Sequence, residues 1–293
     1  MEKFIQLVVD GLSIGSVYAA IALAIVLVHS ATGLINFAQG GMAVLATYVA
    51  WVLTNRGVPL VLAILGSILF SFVLGAVVER YLMRRFERGD PDTAVVVTIG
   101  LLTLITGIAG WLWTYNNQQF PSLFSLDTVS LLGVSISIRS IGTTLVIIVA
   151  MVLLQGLFFG TKLGLALRAV AINPQSAAFS GLPVERLLMV GWGLAAALGA
   201  VAGALVAPQL TLTPGMLDSV LVYGLAAVIL GGLTSPVGVV IAAWIIGVLE
   251  NLAAVYVGFI GFDLKVAVPF ILIFVVLIVR PQGLFGRKTV VRV

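Results

Sequence analysis

Long apolar stretches alternate with short polar punctuation along the chain. They lie near residues 11–28, 37–54, 58–80, 94–115, 140–159, 188–207, 217–232, 237–256 and 266–280. A helix needs about 20 apolar residues to cross a bilayer, because inside hydrocarbon every backbone N–H and C=O must find a partner within its own segment. The pattern predicts an all-α, polytopic integral membrane protein with nine spans, organised as one transmembrane domain over residues 1–293. The seventh and eighth stretches are joined only by Gly232-Leu233-Thr234-Ser235-Pro236, so an eight-span arrangement with one of that pair re-entrant is the alternative. The opening stretch lacks a compact basic segment and runs too long for a secretory signal, and is expected to stay as the first span.

Three interruptions carry enough polar character to have shape. The first, residues 160–187, holds Lys162, Arg168, Glu185 and Arg186. Within it Asn173 is suited to cap a helix, Pro174 to its first position, and Gly181 to the left-handed residue that closes it. The spacing predicts a two-turn helix outside the membrane, on a loop built to touch another protein. The second runs from Ala31 to Gly41, where Asn36 followed by Gln39 resembles a capping box and predicts that the second span begins at Phe37. These polar groups either only start a helix where unpaired amides are costly, or form a gate, since carriers tolerate irregular backbone beside a transport path. The third, residues 116–139, contains Val134-Ser135-Ile136-Ser137-Ile138-Arg139, whose alternation predicts a short strand. Trp111, Trp113 and Tyr115 precede it as interface markers. It reads as an external lid, with docking of a binding protein as the alternative.

Composition narrows the chemistry. Hydrophobic residues make up 61% and charged residues 9%, with a mean hydropathy of +1.23, which excludes a soluble domain. There is no cysteine and one histidine, His29, so thiolate metal sites, cysteine nucleophiles and a Ser-His-Asp arrangement are excluded. No phosphate-loop or dinucleotide fingerprint occurs. The net charge of +4 reflects membrane orientation rather than nucleic acid: with the amino terminus outside and the carboxyl terminus inside, eleven of the 15 basic residues fall on the cytoplasmic side. These are Arg80, Arg84, Arg85, Arg88, Lys162, Arg168, Arg186, Arg280, Arg287, Lys288 and Arg292. The turn from Arg84 to Asp92 reads as a solvated orientation signal, and Glu79 beside Arg80 is explained the same way. Spans one to four and six to nine would run in opposite senses, the geometry of an inverted repeat, although residue identity between the halves is poor. The 32 glycines are read as close helix packing.

Glu250, in Leu249-Glu250-Asn251, is the most notable ionisable group inside an apolar run. A carboxylate at a helix centre costs about 2.5–3.5 kcal/mol on insertion scales, so it must face protein or water. Lys265 is the candidate partner. A structural clamp and a substrate or proton site are both compatible with these residues, and Glu250 and Asn251 join Asn36, Phe37 and Gln39 as candidates for the translocation path or its gate.

Several segments together resemble the permease subunits of branched-chain amino acid ABC importers, the LivH type. They are Gly33-Leu34-Ile35-Asn36-Phe37-Ala38-Gln39-Gly40, the run from Gly164 to Pro174, Gly231-Gly232, Leu249-Glu250-Asn251, and Arg280-Pro281-Gln282-Gly283-Leu284-Phe285-Gly286. Ser176 stands where an acidic residue would be expected and Ile172 where a polar one is common. The resemblance implies a multi-pass subunit of the bacterial inner membrane, not an enzyme, paired with a second homologous permease, two cytoplasmic ATPase subunits and a periplasmic substrate-binding protein. It further implies that Asn173 to Gly181 is a coupling helix seated on an ATPase, with Arg168, Asn173, Pro174, Gln175, Ser176, Ala177 and Gly181 as coupling residues. ATP and Mg would be bound by the partners, with no cofactor in this chain. Branched-chain amino acids are the substrate this implies, with urea, short amides or aromatic acids as alternatives within the family. From another class, an autonomous secondary transporter or channel using Glu250 is the competing reading.

Overall fold

The computed structural model describes residues 2–86, 91–131, 134–258, 264–265, 267–280 and 282–285. Arg88, Pro281, Gly286, Arg287, Lys288 and Arg292 lie outside the described residues. The helices in chain order are α1 (Glu2–Thr32), α2 (Gln39–Asn55), α3 (Leu60–Tyr81), α4 (Pro91–Trp113), α5 (Ile138–Gly160), α6 (Lys162–Ile172), α7 (Pro174–Phe179), α8 (Val184–Leu210), α9 (Asp218–Gly231), α10 (Pro236–Tyr256) and α11 (Ala267–Val279). A 3₁₀ turn, Met83–Arg85, follows α3, and a hairpin of β1 (Thr128–Leu131) and β2 (Val134–Ser137) precedes α5. Among the described residues six helices, α1, α3, α4, α5, α8 and α10, are long and apolar enough to cross a bilayer. The chain is therefore a polytopic helical membrane protein. With 14 residues α9 reaches only about 21 Å, short of a hydrocarbon core of about 30 Å.

Local chemistry explains most of the boundaries. The first helix starts well before residue 11 and ends at Gly33, whose φ of +78° is the left-handed conformation that lets its N–H return to the His29 carbonyl at 2.8 Å. At α10, Ser235 accepts a hydrogen bond from the Gly238 N–H and Pro236 fills the first turn. The second span does not begin at Phe37. Asn36 Oδ1 accepts the Ala38 N–H at 2.9 Å, a turn closed two residues on, and α2 starts at Gln39 without a side-chain cap. The strand expected from Val134 to Arg139 stops at Ser137, because Ile138 already opens α5, and it pairs antiparallel with β1, whose Ser130 lies opposite Ser135.

The described residues fall into two compact units. One comprises Met1–Val26, Phe124–Val152 and Val222–Val293, and the other Leu27–Leu123 and Leu153–Leu221. In the second unit α3 and α8 pack with backbones in near contact. A Cβ added at Gly75 would sit 2.5 Å from the Trp192 carbonyl oxygen, and Ser71 Oγ donates to the Ala196 carbonyl at 2.8 Å. Gly199 and Gly203, on the same face of α8, admit the side chains of Gln39 and Thr47 from α2. In the first unit Gly11 and Gly15 of α1 meet Gly247 and Ala243 of α10 with the same closeness, so in both places small residues allow helices to gain dispersion contacts that lipid cannot supply. Here the Trp244 indole N–H donates to Ser16 Oγ at 2.9 Å, which lies 2.9 Å from Thr144 Oγ1. The outward sides of α3, α4 and α5 expose Leu69, Val96, Leu104, Val152 and Leu153, as expected where the solvent is lipid.

Candidate functional site

Residues 160–187 fold into two helices rather than one. Thr161 caps α6, its hydroxyl oxygen accepting the Gly164 N–H at 3.0 Å, a signal present in the sequence beyond the single two-turn helix expected there. Asn173 then ends α6 and caps α7: its Oδ1 accepts the Ser176 N–H at 2.9 Å, Pro174 stands in the first turn, and Gly181 takes φ +80°. The cap, the proline and the glycine act as the sequence indicates, but α7 has six residues, somewhat under two turns. Gln175 and Ser176 are exposed, whereas Ala177 is buried. Arg168 does not join this group. Its guanidinium lies 4.7 Å from the ring centre of Phe159 at the end of α5. The exposed positions include two large apolar side chains, Ile172 at 85% and Phe179 at 92%.

Asn36, Phe37 and Gln39 come together in the second unit. Asn36 and Gln39 are fully buried. Asn36 Nδ2 donates to Gln39 Oε1 at 3.3 Å, and Gln39 Nε2 donates to the Ala195 carbonyl of α8 at 2.8 Å. That carbonyl accepts through its second lone pair while remaining in the helix. The Phe37 N–H donates to Thr98 Oγ1 of α4 at 3.3 Å. The amide expected to cap α2 thus ties it to the middle of α8, and the interior gains a satisfied polar network where an orphan amide would cost several kcal/mol.

Glu250 and Asn251 belong to the first unit. Glu250 is 3% exposed; Tyr18 donates to its Oε2 at 2.8 Å, Tyr223 donates to its Oε1 at 3.4 Å, and Lys265 Nζ lies 3.6 Å from Oε1. The Tyr18 and Tyr223 rings stack with centroids 4.4 Å apart. Asn251 turns elsewhere and donates to the Leu7 carbonyl at 2.8 Å. Lys265 is the partner expected from sequence. The two tyrosines were not legible there, because they come from helices distant in the chain.

A further cluster revises the reading of Glu79 and of the turn that follows. Glu79 is fully buried and pairs with Arg84, not Arg80: its two oxygens accept from Arg84 Nε at 3.2 Å and Nη2 at 3.1 Å. Arg84 Nη1 also donates to Glu185 Oε2 of α8 at 2.9 Å. Arg80 instead lies over the Tyr81 ring at 5.5 Å. Arg84 is thus held by two carboxylates and is more than a solvated orientation signal. The available clue was a carboxylate in the last turn of an apolar helix with an arginine five residues on. Among the described residues no group of three or more metal-ligating side chains stands together.

A multi-pass helical membrane protein with satisfied polar networks in its apolar interior, and a capped helical segment exposing two large apolar side chains, is the class these features define. The family described as branched-chain amino acid transport system / permease component matches residues 7–277, and the chain belongs to it. It is 28% identical to the high-affinity branched-chain amino acid transport system permease protein LivH of Salmonella typhimurium over 99% of this chain and 98% of that one. It is 29% identical to the corresponding protein BraD of Pseudomonas aeruginosa, at the same coverage. A shorter match, 29% identity over 36% of this chain, is to the nucleoside ABC transporter permease protein NupB of Lactococcus lactis. The chain is accordingly a permease-type subunit of an ABC transporter, a transport protein and not an enzyme.

Proposed function

We propose that this subunit moves branched-chain amino acids from the periplasm to the cytoplasm of a bacterium by alternating access driven by partner ATPases. The observation that carries the mechanism is the exposure of Ile172 and Phe179 on the capped α6–α7 segment. Large apolar side chains that exposed, on a rigid and pre-capped turn, suit burial in a groove of another protein. Asn173 to Gly181 of the α7 segment meet the ATPase, with Arg168 stacked on Phe159 behind them; ATP and Mg act on the ATPase, and α8 follows the docked segment after a four-residue linker into the interior. A second homologous permease completes the transmembrane part, and the 116–139 segment faces the periplasmic binding protein. In this reading the nine apolar stretches run with the amino terminus outside in two inverted halves, α9 covering only part of the hydrocarbon thickness as helix. Each buried polar cluster, Asn36–Gln39–Ala195 in one unit and Glu250 with its tyrosines in the other, is within its own unit a candidate lining of a transport path, as buried polar groups are in carriers.

Substrate choice follows the full-length similarity to LivH and BraD, whose names specify branched-chain amino acids. An interior with few charges suits a compact zwitterion with an apolar side chain. Energy enters mechanically, so the two conformations must bind nucleotide with different affinity, and the coupling is reciprocal. Replacing Asn173 and Pro174 by Gly-Gly removes the cap and the fixed φ of α7. Membrane assembly is expected to persist while substrate-stimulated ATP hydrolysis falls in the reconstituted importer. Unchanged stimulation would count against the coupling role.

A further inference from the structure

We infer that Arg84 is a positioning residue that clamps the first turn of α8 to the end of α3, so that displacement of α7 carries the α3–α8 pair as one body. The inference rests on the reading of α7 as the ATPase-facing segment. Only the residues 180–183 separate α7 from α8, and Glu185 lies in the first turn beyond them. Gly181, with φ +80°, sits within that linker, and without a second attachment α8 could pivot there when α7 moves. Arg84 supplies the attachment. Its Nε and Nη2 grip the fully buried Glu79 at 3.2 and 3.1 Å, while Nη1 and Nη2 reach Glu185 Oε2 at 2.9 Å and the Glu185 carbonyl at 3.4 Å. A guanidinium is a planar fork of five fixed donors, so one engaged on two edges sets the angle between its partners as well as their distance.

The same two helices are interlocked deeper in the unit, where Gly75 admits the Trp192 carbonyl and Ser71 bonds Ala196. The pair is thus joined at two levels, an apolar one in the interior and a polar one beside α7. The polar joint can be opened from one side without unfolding. The Glu185 side chain is 57% exposed, and an ion pair that exposed adds little to folding stability. Glu79, by contrast, anchors the guanidinium from within.

The test uses Glu185→Gln, Glu185→Lys and Glu185→Asp in the complete importer, reconstituted in liposomes with its ATPases and binding protein and with leucine as the solute. The readout is leucine moved per ATP hydrolysed. The clamp requires this ratio to fall at least about fivefold in Glu185→Gln, the lower end of ordinary coupling effects. Glu185→Lys should fall further, because it repels Arg84, and Glu185→Asp should stay near the parent, with basal hydrolysis and complex assembly unaltered in all three. A ratio unchanged in Gln and Lys variants, while the Asn173-Pro174 to Gly-Gly variant lowers stimulated hydrolysis, overturns the clamp and leaves the coupling role of α7 standing. If the ratio is unchanged in the clamp variants and the Gly-Gly variant leaves stimulated hydrolysis unchanged, both readings fall. A loss of ratio that accompanies loss of the assembled complex also overturns the clamp, because Glu185 then serves assembly.

Discussion

Gly75→Ala tests whether α3 and α8 are held together by backbone proximity. The added methyl carbon would lie 2.5 Å from the Trp192 carbonyl oxygen and 2.8 Å from the Ala196 Cβ, so the helices must part by about 0.5 Å merely to bring the first distance to 3.0 Å. Neither obstacle is the far end of a flexible side chain, and the Trp192 side chain is 1% exposed, so there is no slack into which the contact can relax. Overpacking of this kind costs about 1–3 kcal/mol, offset by up to about 1 kcal/mol because alanine favours the helix over glycine. Gly100→Ala on α4 isolates the second effect, since nothing lies within 4 Å of that position. The propensity gain is common to both variants, so they should differ by the overpacking cost alone, roughly 1–3 kcal/mol, with Gly75→Ala the less stable. At about 2–4 °C per kcal/mol for larger domains, the gap in melting temperature of the detergent-purified subunit is about 2–12 °C. Adding Ala196→Gly removes the 2.8 Å contact but not the 2.5 Å one, and should recover only part of the loss. Equal melting temperatures for Gly75→Ala and Gly100→Ala would refute the close-packing argument.

The remaining predictions concern charged and polar partners in the interior. Arg84→Ala leaves the fully buried Glu79 without its guanidinium and should cost about 3–5 kcal/mol, whereas Glu185→Ala, on the exposed side of the same guanidinium, should cost about 0–1 kcal/mol. Thermal melts of the two purified variants check that asymmetry, and similar losses would contradict the burial argument. Tyr18→Phe removes the 2.8 Å bond to Glu250 but keeps the ring that stacks on Tyr223. A loss of about 1.5–3 kcal/mol is expected, as for hydrogen bonds to charged groups. Tyr223→Phe should lose less, because its hydroxyl is 3.4 Å from the carboxylate; a larger loss than Tyr18→Phe would reverse the assigned order.

The sequence alone determined whatever depends on neighbours within a few residues. Of the nine apolar runs, six coincide with helices long enough to cross a bilayer among the described residues, because an uninterrupted helix is the solution hydrocarbon imposes on a single segment. Asn173, Pro174 and Gly181 marked α7, because a cap, a fixed φ and a left-handed residue act on the adjacent backbone whatever lies beyond it. Lys265 could be named as the partner of Glu250 because only 15 positions separate them in the chain and no other cation stands between. The tertiary structure decided the cases in which a local role and a distant partner competed for one side chain. Gln39 could have closed a capping box, but the Ala195 carbonyl, 156 residues away, offered its amide a direct bond in an interior without water. Arg84 could have been an ordinary cytoplasmic charge, but the buried Glu79 needed a counterion, and Glu185, 101 residues away, then lay within reach of the same guanidinium. Tyr18 comes to Glu250 across 232 residues. Local geometry is written in residue type and spacing, whereas the partner of a buried polar group is set by which helices come close, and in an apolar interior the cost of leaving such a group unpaired makes that choice prevail over the local preference.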